Sequence, residues 1–147
     1  MQTLTLEQKV SFIKYSHKWR PTNKKLHQME YHQNETAKCT LCGEIEDDDH
    51  LFQCKDVIMR DAQEETITNM CSSLQKINTS PYIIKTIKTH LKNWMAGKNS
   101  PSQIHLHPNN NHHKEILKAI RLQEKIDWTH LIRGKLTHLW KSAQKTY

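Results

Sequence analysis

Three of the chain's four cysteines fall between positions 39 and 54, with a histidine among them: Cys39, Cys42, His50 and Cys54. The spacing Cys-x2-Cys-x7-His-x3-Cys constrains the fold more than any other feature, because three thiolates and an imidazole are enough to close a tetrahedral Zn2+ site. Two residues between Cys39 and Cys42 let one tight turn aim both sulfurs at a common point. Gly43 can take the positive φ that the exit from such a turn often needs. His50 and Cys54 stand four apart, which on a helix puts both on one face, one turn from each other. The expected module is a knuckle giving two sulfurs and a short helix giving a nitrogen and a sulfur. With four protein ligands no coordination position stays open, so the expected role of the metal is structural and not catalytic. A redox role for the Cys39/Cys42 pair is the competing reading. Against it, no strand pattern flanks the pair, and a nearby His–Cys pair is foreign to that arrangement.

A chain of 147 residues with 35% hydrophobic content and a mean hydropathy of −0.84 has a thin core. A metal staple therefore matters to its stability. A structural zinc ion contributes roughly 10–16 kcal/mol of apparent binding free energy, comparable to the stability of a whole domain. The net charge is +7, which suits an anionic partner, RNA or DNA being the usual one. The charge is uneven: residues 1–30 carry +4, residues 31–60 carry −4, residues 61–110 carry +2 and residues 111–147 carry +5. The metal module is thus acidic and both flanks are basic. Cys71 stands alone and the other cysteines have a histidine beside them, so a reducing, intracellular setting fits better than a disulfide framework. The start has no apolar h-region of a signal peptide. No apolar run is long enough to cross a membrane, and no membrane partner is expected.

Periodicity predicts a mostly α fold: a small helical domain with a Cys3His zinc knuckle and C-terminal helices. Leu6, Val10 and Ile13 predict an amphipathic helix over 4–19, stopped by Pro21, and Thr22 caps a short second helix through Met29. Asp48 or Asp49 is the expected N-cap of the helix carrying His50 and Cys54. Ile67, Met70, Cys71, Leu74 and Ile77 form a stripe on a helix over 57–77, where Cys71 reads as a buried small hydrophobe. Ser80-Pro81 opens the next helix, whose apolar face is Ile84, Ile87, Leu91, Trp94 and Met95, with Gly97 ending it. Residues 97–113 hold His105, His107, His112 and His113 among asparagines and read as linker, with a second metal site disfavoured. From 114 onward the chain reads as helical, with Asp127 capping a helix that carries Trp128 to Trp140. The segments expected are a basic helical part (1–33), the zinc module (34–56), a helical hairpin (57–97), the linker (98–113) and a basic helical end (114–147).

Basic residues interleaved with aromatics suit phosphate contact and base stacking. Lys14, Lys18, Trp19, Arg20, Lys24 and Lys25 near the start, with Arg133 and Lys135 near the end, are the candidate nucleic-acid contacts. The plain alternative is that Trp19 anchors a core and the lysines form a solvated face. A second class of function is protein interaction through the helix faces, with Trp94, Trp128 and Trp140 as anchors. Catalysis ranks last: no nucleophile–base pair stands at a telling spacing, and three glycines leave little room for a phosphate-cradling loop.

The stretches His17-Lys18-Trp19-Arg20-Pro21-Thr22, Cys39-x2-Cys42-Gly43 and Glu46 through Cys54 resemble the zinc-binding region C-terminal to the reverse transcriptase of non-LTR retrotransposons. The ending Gln123 to Trp128, with Arg133-Gly134-Lys135 and Trp140, is similar to tails of such reading frames. The resemblance implies that Cys39, Cys42, His50 and Cys54 ligate zinc. It also implies that the module handles template RNA or target DNA, in the nucleus. The chain has no aromatic-x-Asp-Asp polymerase turn and no endonuclease, so the resemblance is to a detached C-terminal piece. A zinc-stabilised interaction module and a retroelement fragment without function are the alternatives.

Overall fold

The computed structural model describes residues 5–18, 20–29, 36–98 and 104–147, the side chains of Phe12, Tyr15 and Ser16 apart. Trp19 lies outside the described residues. Eight helices are present among those residues: α1 (Leu6–Ser16), α2 (Asn23–Gln28), α3 (His50–Gln53), α4 (Val57–Lys76), α5 (Pro81–Met95), α6 (Asn111–Ile126), α7 (Thr129–Ile132) and α8 (His138–Lys145). The only extended pairing among the described residues is one antiparallel bridge, Lys38 with Ile45. The mostly helical reading is correct. The chain divides into two compact units, Met1–Asp56 and Val57–Tyr147.

In the first unit, α1 shows the expected spacing, but its stripe is not covered: Leu6, Val10 and Ile13 are 76%, 42% and 49% exposed. Thr22 caps α2 as expected, accepting from the Lys25 N–H. Asn23 ties this corner to the metal module, its amide donating to the Lys38 carbonyl at 2.8 Å and to Glu46 at 3.0 Å.

The second unit has its own core. Ile83, Ile87 and Leu91 of α5 meet Ile116, Ala119 and Ile120 of α6, Leu131 of α7, and Trp140 and Ala143 of α8, with Trp128 between them. A smaller cluster joins Ile67 and Cys71 of α4 to Ile84 of α5, so Cys71 is the buried small hydrophobe expected. Ile77 is not in the stripe: it follows the last turn of α4 and is 71% exposed. The Lys92–Glu64 ion pair, 2.6 Å, links α4 and α5.

Three local expectations change. Helix α6 begins at Asn111, because the Asn110 side chain accepts from the His113 N–H and caps it. That places His112 and His113 in the helix and buries both, where the tract had read as linker. Asp127 has a positive φ of 74°, ends α6, and accepts from the N–H and hydroxyl of Thr129. The expected long helix beyond it breaks at Gly134, φ 75°, into α7 and α8.

Candidate metal centre

The backbone between Ala37 and Glu46 folds back on itself as a tight loop. The Cys39 N–H donates to the Glu44 carbonyl at 2.7 Å, and the Glu46 N–H donates to the Ala37 carbonyl at 2.9 Å. Within it the Gly43 N–H donates to the Cys39 carbonyl at 2.9 Å, which closes the turn. Gly43 sits at φ 76° with nothing within 4 Å of where a Cβ would stand. Glycine is therefore favoured here by the backbone angle and not by space.

The second half of the site is α3. Its free N–H groups are capped by Asp47, whose Oδ1 accepts from the N–H groups of Asp49 and His50, each at 3.1 Å. Asp49 occupies the N-cap position but makes no side-chain capping bond. The carboxylate three residues before His50 reaches the first turn; those nearer to it do not. Cys54 follows the single turn of α3. Asp48 is turned to the Lys25 ammonium at 2.7 Å, and Glu44 pairs with Lys55 at 2.8 Å. That ammonium holds the Glu44 carboxyl below its usual range.

These two pieces bring Cys39, Cys42, His50 and Cys54 together. One ligand atom from each lies within 4.8 Å of all the others, a group able to hold a metal ion. Cys42 Sγ stands 3.2 Å from His50 Nε2. Cys39, His50 and Cys54 are buried and Cys42 is half-buried. None of the four cysteines is in a disulfide, and Cys71 sits in the other unit.

The electrostatics of the group are uneven. Burial pushes the Cys39 thiol up, but the N–H groups of Cys42 and Leu41 and the side chains of His50 and Cys42 outweigh it and bring it down to about 7. Burial pushes Cys54 up to about 11, with the Cys42 and Cys39 sulfurs adding to the rise against the Asp56 N–H. Gathering several sulfurs disfavours their joint ionisation, which a cation at their centre reverses.

The candidate nucleic-acid residues fare differently. Lys14, Lys18, Arg20, Lys24 and Lys135 are exposed. Lys25 is half-buried, its ammonium donating to the Lys18 carbonyl and engaged by Asp48. Arg133, expected on the outside, is 3% exposed and presents no guanidinium to a phosphate backbone. Trp128 and Trp140, considered as partner anchors, are core residues at 7% and 5% exposure, and Trp94 packs partly buried against the same core.

Sequence reasoning missed a buried polar group in the second unit. The Ser80 hydroxyl does not cap α5; it meets His112 Nε2 at 2.7 Å. His112 Nδ1 stands 3.0 Å from the Ala143 carbonyl oxygen. The signal available was Asn110, whose side chain caps α6 and so carries His112 into a helix, where composition reads as linker. No helix among the described residues is long and apolar enough to cross a membrane. Comparison with protein-family models, with curated proteins and with solved structures finds no match to this chain.

Proposed function

We propose that Cys39, Cys42, His50 and Cys54 hold a structural zinc ion in a helical protein that binds nucleic acid, as the zinc-binding tail of a retrotransposon reverse transcriptase does. The convergence of the four ligand atoms within 4.8 Å carries the metal half of this reading. Zinc bonds of about 2.3 Å to sulfur and 2.0–2.1 Å to nitrogen set tetrahedral ligand separations of about 3.5–3.8 Å. The Cys42–His50 separation of 3.2 Å has only to widen by a few tenths of an ångström. Soft sulfur donors with one imidazole favour zinc over the oxygen-seeking divalent ions. With four protein ligands the ion supplies cross-linking and no activated water.

The nucleic-acid half is supported by the net charge of +7 and by exposed Lys14, Lys18, Arg20, Lys24 and Lys135, and by the resemblance of the cysteine module to the retrotransposon region. Metal analysis of the purified protein, expected at one zinc per chain, tests the first half. A salt titration against single-stranded RNA and duplex DNA tests the second. Five phosphate contacts predict a log–log slope of about −4.5 on duplex DNA, and flat binding across that range removes the nucleic-acid reading.

A second reading is favoured by one observation. The Leu6, Val10 and Ile13 stripe is exposed along α1, as an interaction helix would present it. Retention of RNA or DNA affinity after all three are changed to serine separates the two.

A further inference from the structure

The last two turns of α4 and the first two of α5 leave a cleft of about 680 Å³ between them, within the range of small-molecule sites. Its composition is two-faced. Cys71 and Ile84, both buried and part of the smaller core cluster, bring apolar surface to it. Tyr147 also lines it, its ring 5.5 Å from that of His112. Gln75 lines it from α4, one helical turn beyond Cys71, and Lys85 and Lys88 line it from α5. Ile84, Lys85 and Lys88 stand at i, i+1 and i+4, so the last two share a face of the helix. No aspartate or glutamate lines the cleft.

The two lysines are the informative residues. Among the described residues the ion pairs are Lys25–Asp48, Lys55–Glu44, Lys92–Glu64 and Lys118–Glu115. One turn along α5, Lys92 has a carboxylate from α4 facing it, whereas Lys85 and Lys88 have none. Two ammonium groups that no carboxylate side chain faces among the described residues, set beside apolar surface, match an anion with an apolar body.

We infer that the α4–α5 cleft binds a small amphipathic anion, a carboxylate or phosphate carried on an acyl or aromatic body. The head group takes the Lys85 and Lys88 ammoniums, and the body lies against Ile84 and Cys71. All residues of the site belong to the second unit, and none is a ligand of the metal centre.

The test titrates the 147-residue chain by calorimetry, and in parallel by NMR of the backbone amides, with sodium dodecanoate, adenosine monophosphate, inorganic phosphate and dodecanol. One-to-one saturable binding of dodecanoate identifies an acyl carboxylate ligand, and of adenosine monophosphate a phosphate ester. In either case the shifts map to α4 and α5. Lys85→Glu with Lys88→Glu, both exposed positions that the fold tolerates, is expected to weaken binding about tenfold or more. Gln75→Phe, which narrows the cleft and keeps both charges, is expected to weaken the organic anion and leave inorganic phosphate unchanged. The inference is overturned if no organic anion saturates by about 10 mM. It is equally overturned if the charge-reversed protein binds as well as the parent. Phosphate or dodecanol matching the organic anions also refutes it, since a bare cation patch or a greasy surface then explains the binding.

Discussion

The indole N–H of Trp140 donates to Gln123 Oε1 at 3.1 Å inside the core, and the Gln123 amide donates onward to the Asp127 carbonyl at 3.3 Å. Gln123 is fully buried and Trp140 is 5% exposed, so α6, the turn at Asp127 and α8 are joined by a polar chain whose Trp140–Gln123 link is buried and whose Asp127 end is exposed. Gln123→Leu keeps the volume and removes the acceptor, leaving a buried N–H unsatisfied. The expected loss is about 1–3 kcal/mol, read as a lower urea midpoint with unchanged slope. In a double-mutant cycle with Trp140→Phe, the two losses are expected to sum to more than the double variant shows. Strict additivity would mean that the bond contributes nothing specific.

Thr86 makes the opposite case. It is fully buried on α5, and its hydroxyl has no hydrogen-bond partner among the described residues. Thr86→Val replaces a desolvated hydroxyl with a methyl of similar size. The expected gain is about 1 kcal/mol, seen as a rise of several degrees in the melting temperature. A fall would show that the hydroxyl is satisfied in solution by a group the fold brings to it.

What the sequence made legible was what local chemistry decides. Cys39, Cys42, His50 and Cys54 could be grouped because two short spacings each fix a pair. Thr22 could be named as a cap because its acceptor acts only three residues ahead. The illegible features depend on what packs above a residue. Leu6, Val10 and Ile13 have helical periodicity, yet periodicity gives a face and not its cover. Arg133 carries the charge of a surface residue, but the short α7 turns it into the core. His112 and His113 looked like linker because tract composition outweighed Asn110 as a cap. Trp128 and Trp140 fit a partner's pocket or their own core equally well on sequence alone.

His90 gives the second unit a pH dependence. It is buried on α5 and stacked on Trp128, ring centroids 4.5 Å apart and planes within 9°. Burial holds its pKa below the ordinary value of 6.5. Burial also lowers His113, helped by His112 and His107. The neutral ring is therefore favoured in the fold, and below about pH 6.5 the unfolded chain binds more protons than the native one. Stability is full above that pH and declines as pH falls from there toward the folded-state pKa values. Urea midpoints measured between pH 7.5 and 5 on the parent and on His90→Phe should both fall, less steeply in the variant. Identical slopes would remove His90 as a source.

Cys42→Ser separates the two units energetically. If a metal ion holds the knuckle, the variant loses one of four ligands, and α3, only four residues long, has too few backbone bonds to persist alone. Helicity and amide protection over residues 39–54 are expected to collapse, and a strong chelator should do the same to the parent. The second unit has its own buried residues from α4 to α8. The slow exchange of its core amides, Leu91, Ile116 and Ala119 among them, is therefore expected to survive both treatments. Hydrogen exchange read residue by residue decides the matter. Unchanged protection over 39–54 after chelation would mean that no ion staples that segment. Loss of protection at Ile116 as well would mean that the second core depends on the first, and that the cleft between α4 and α5 must be studied only in metal-loaded protein.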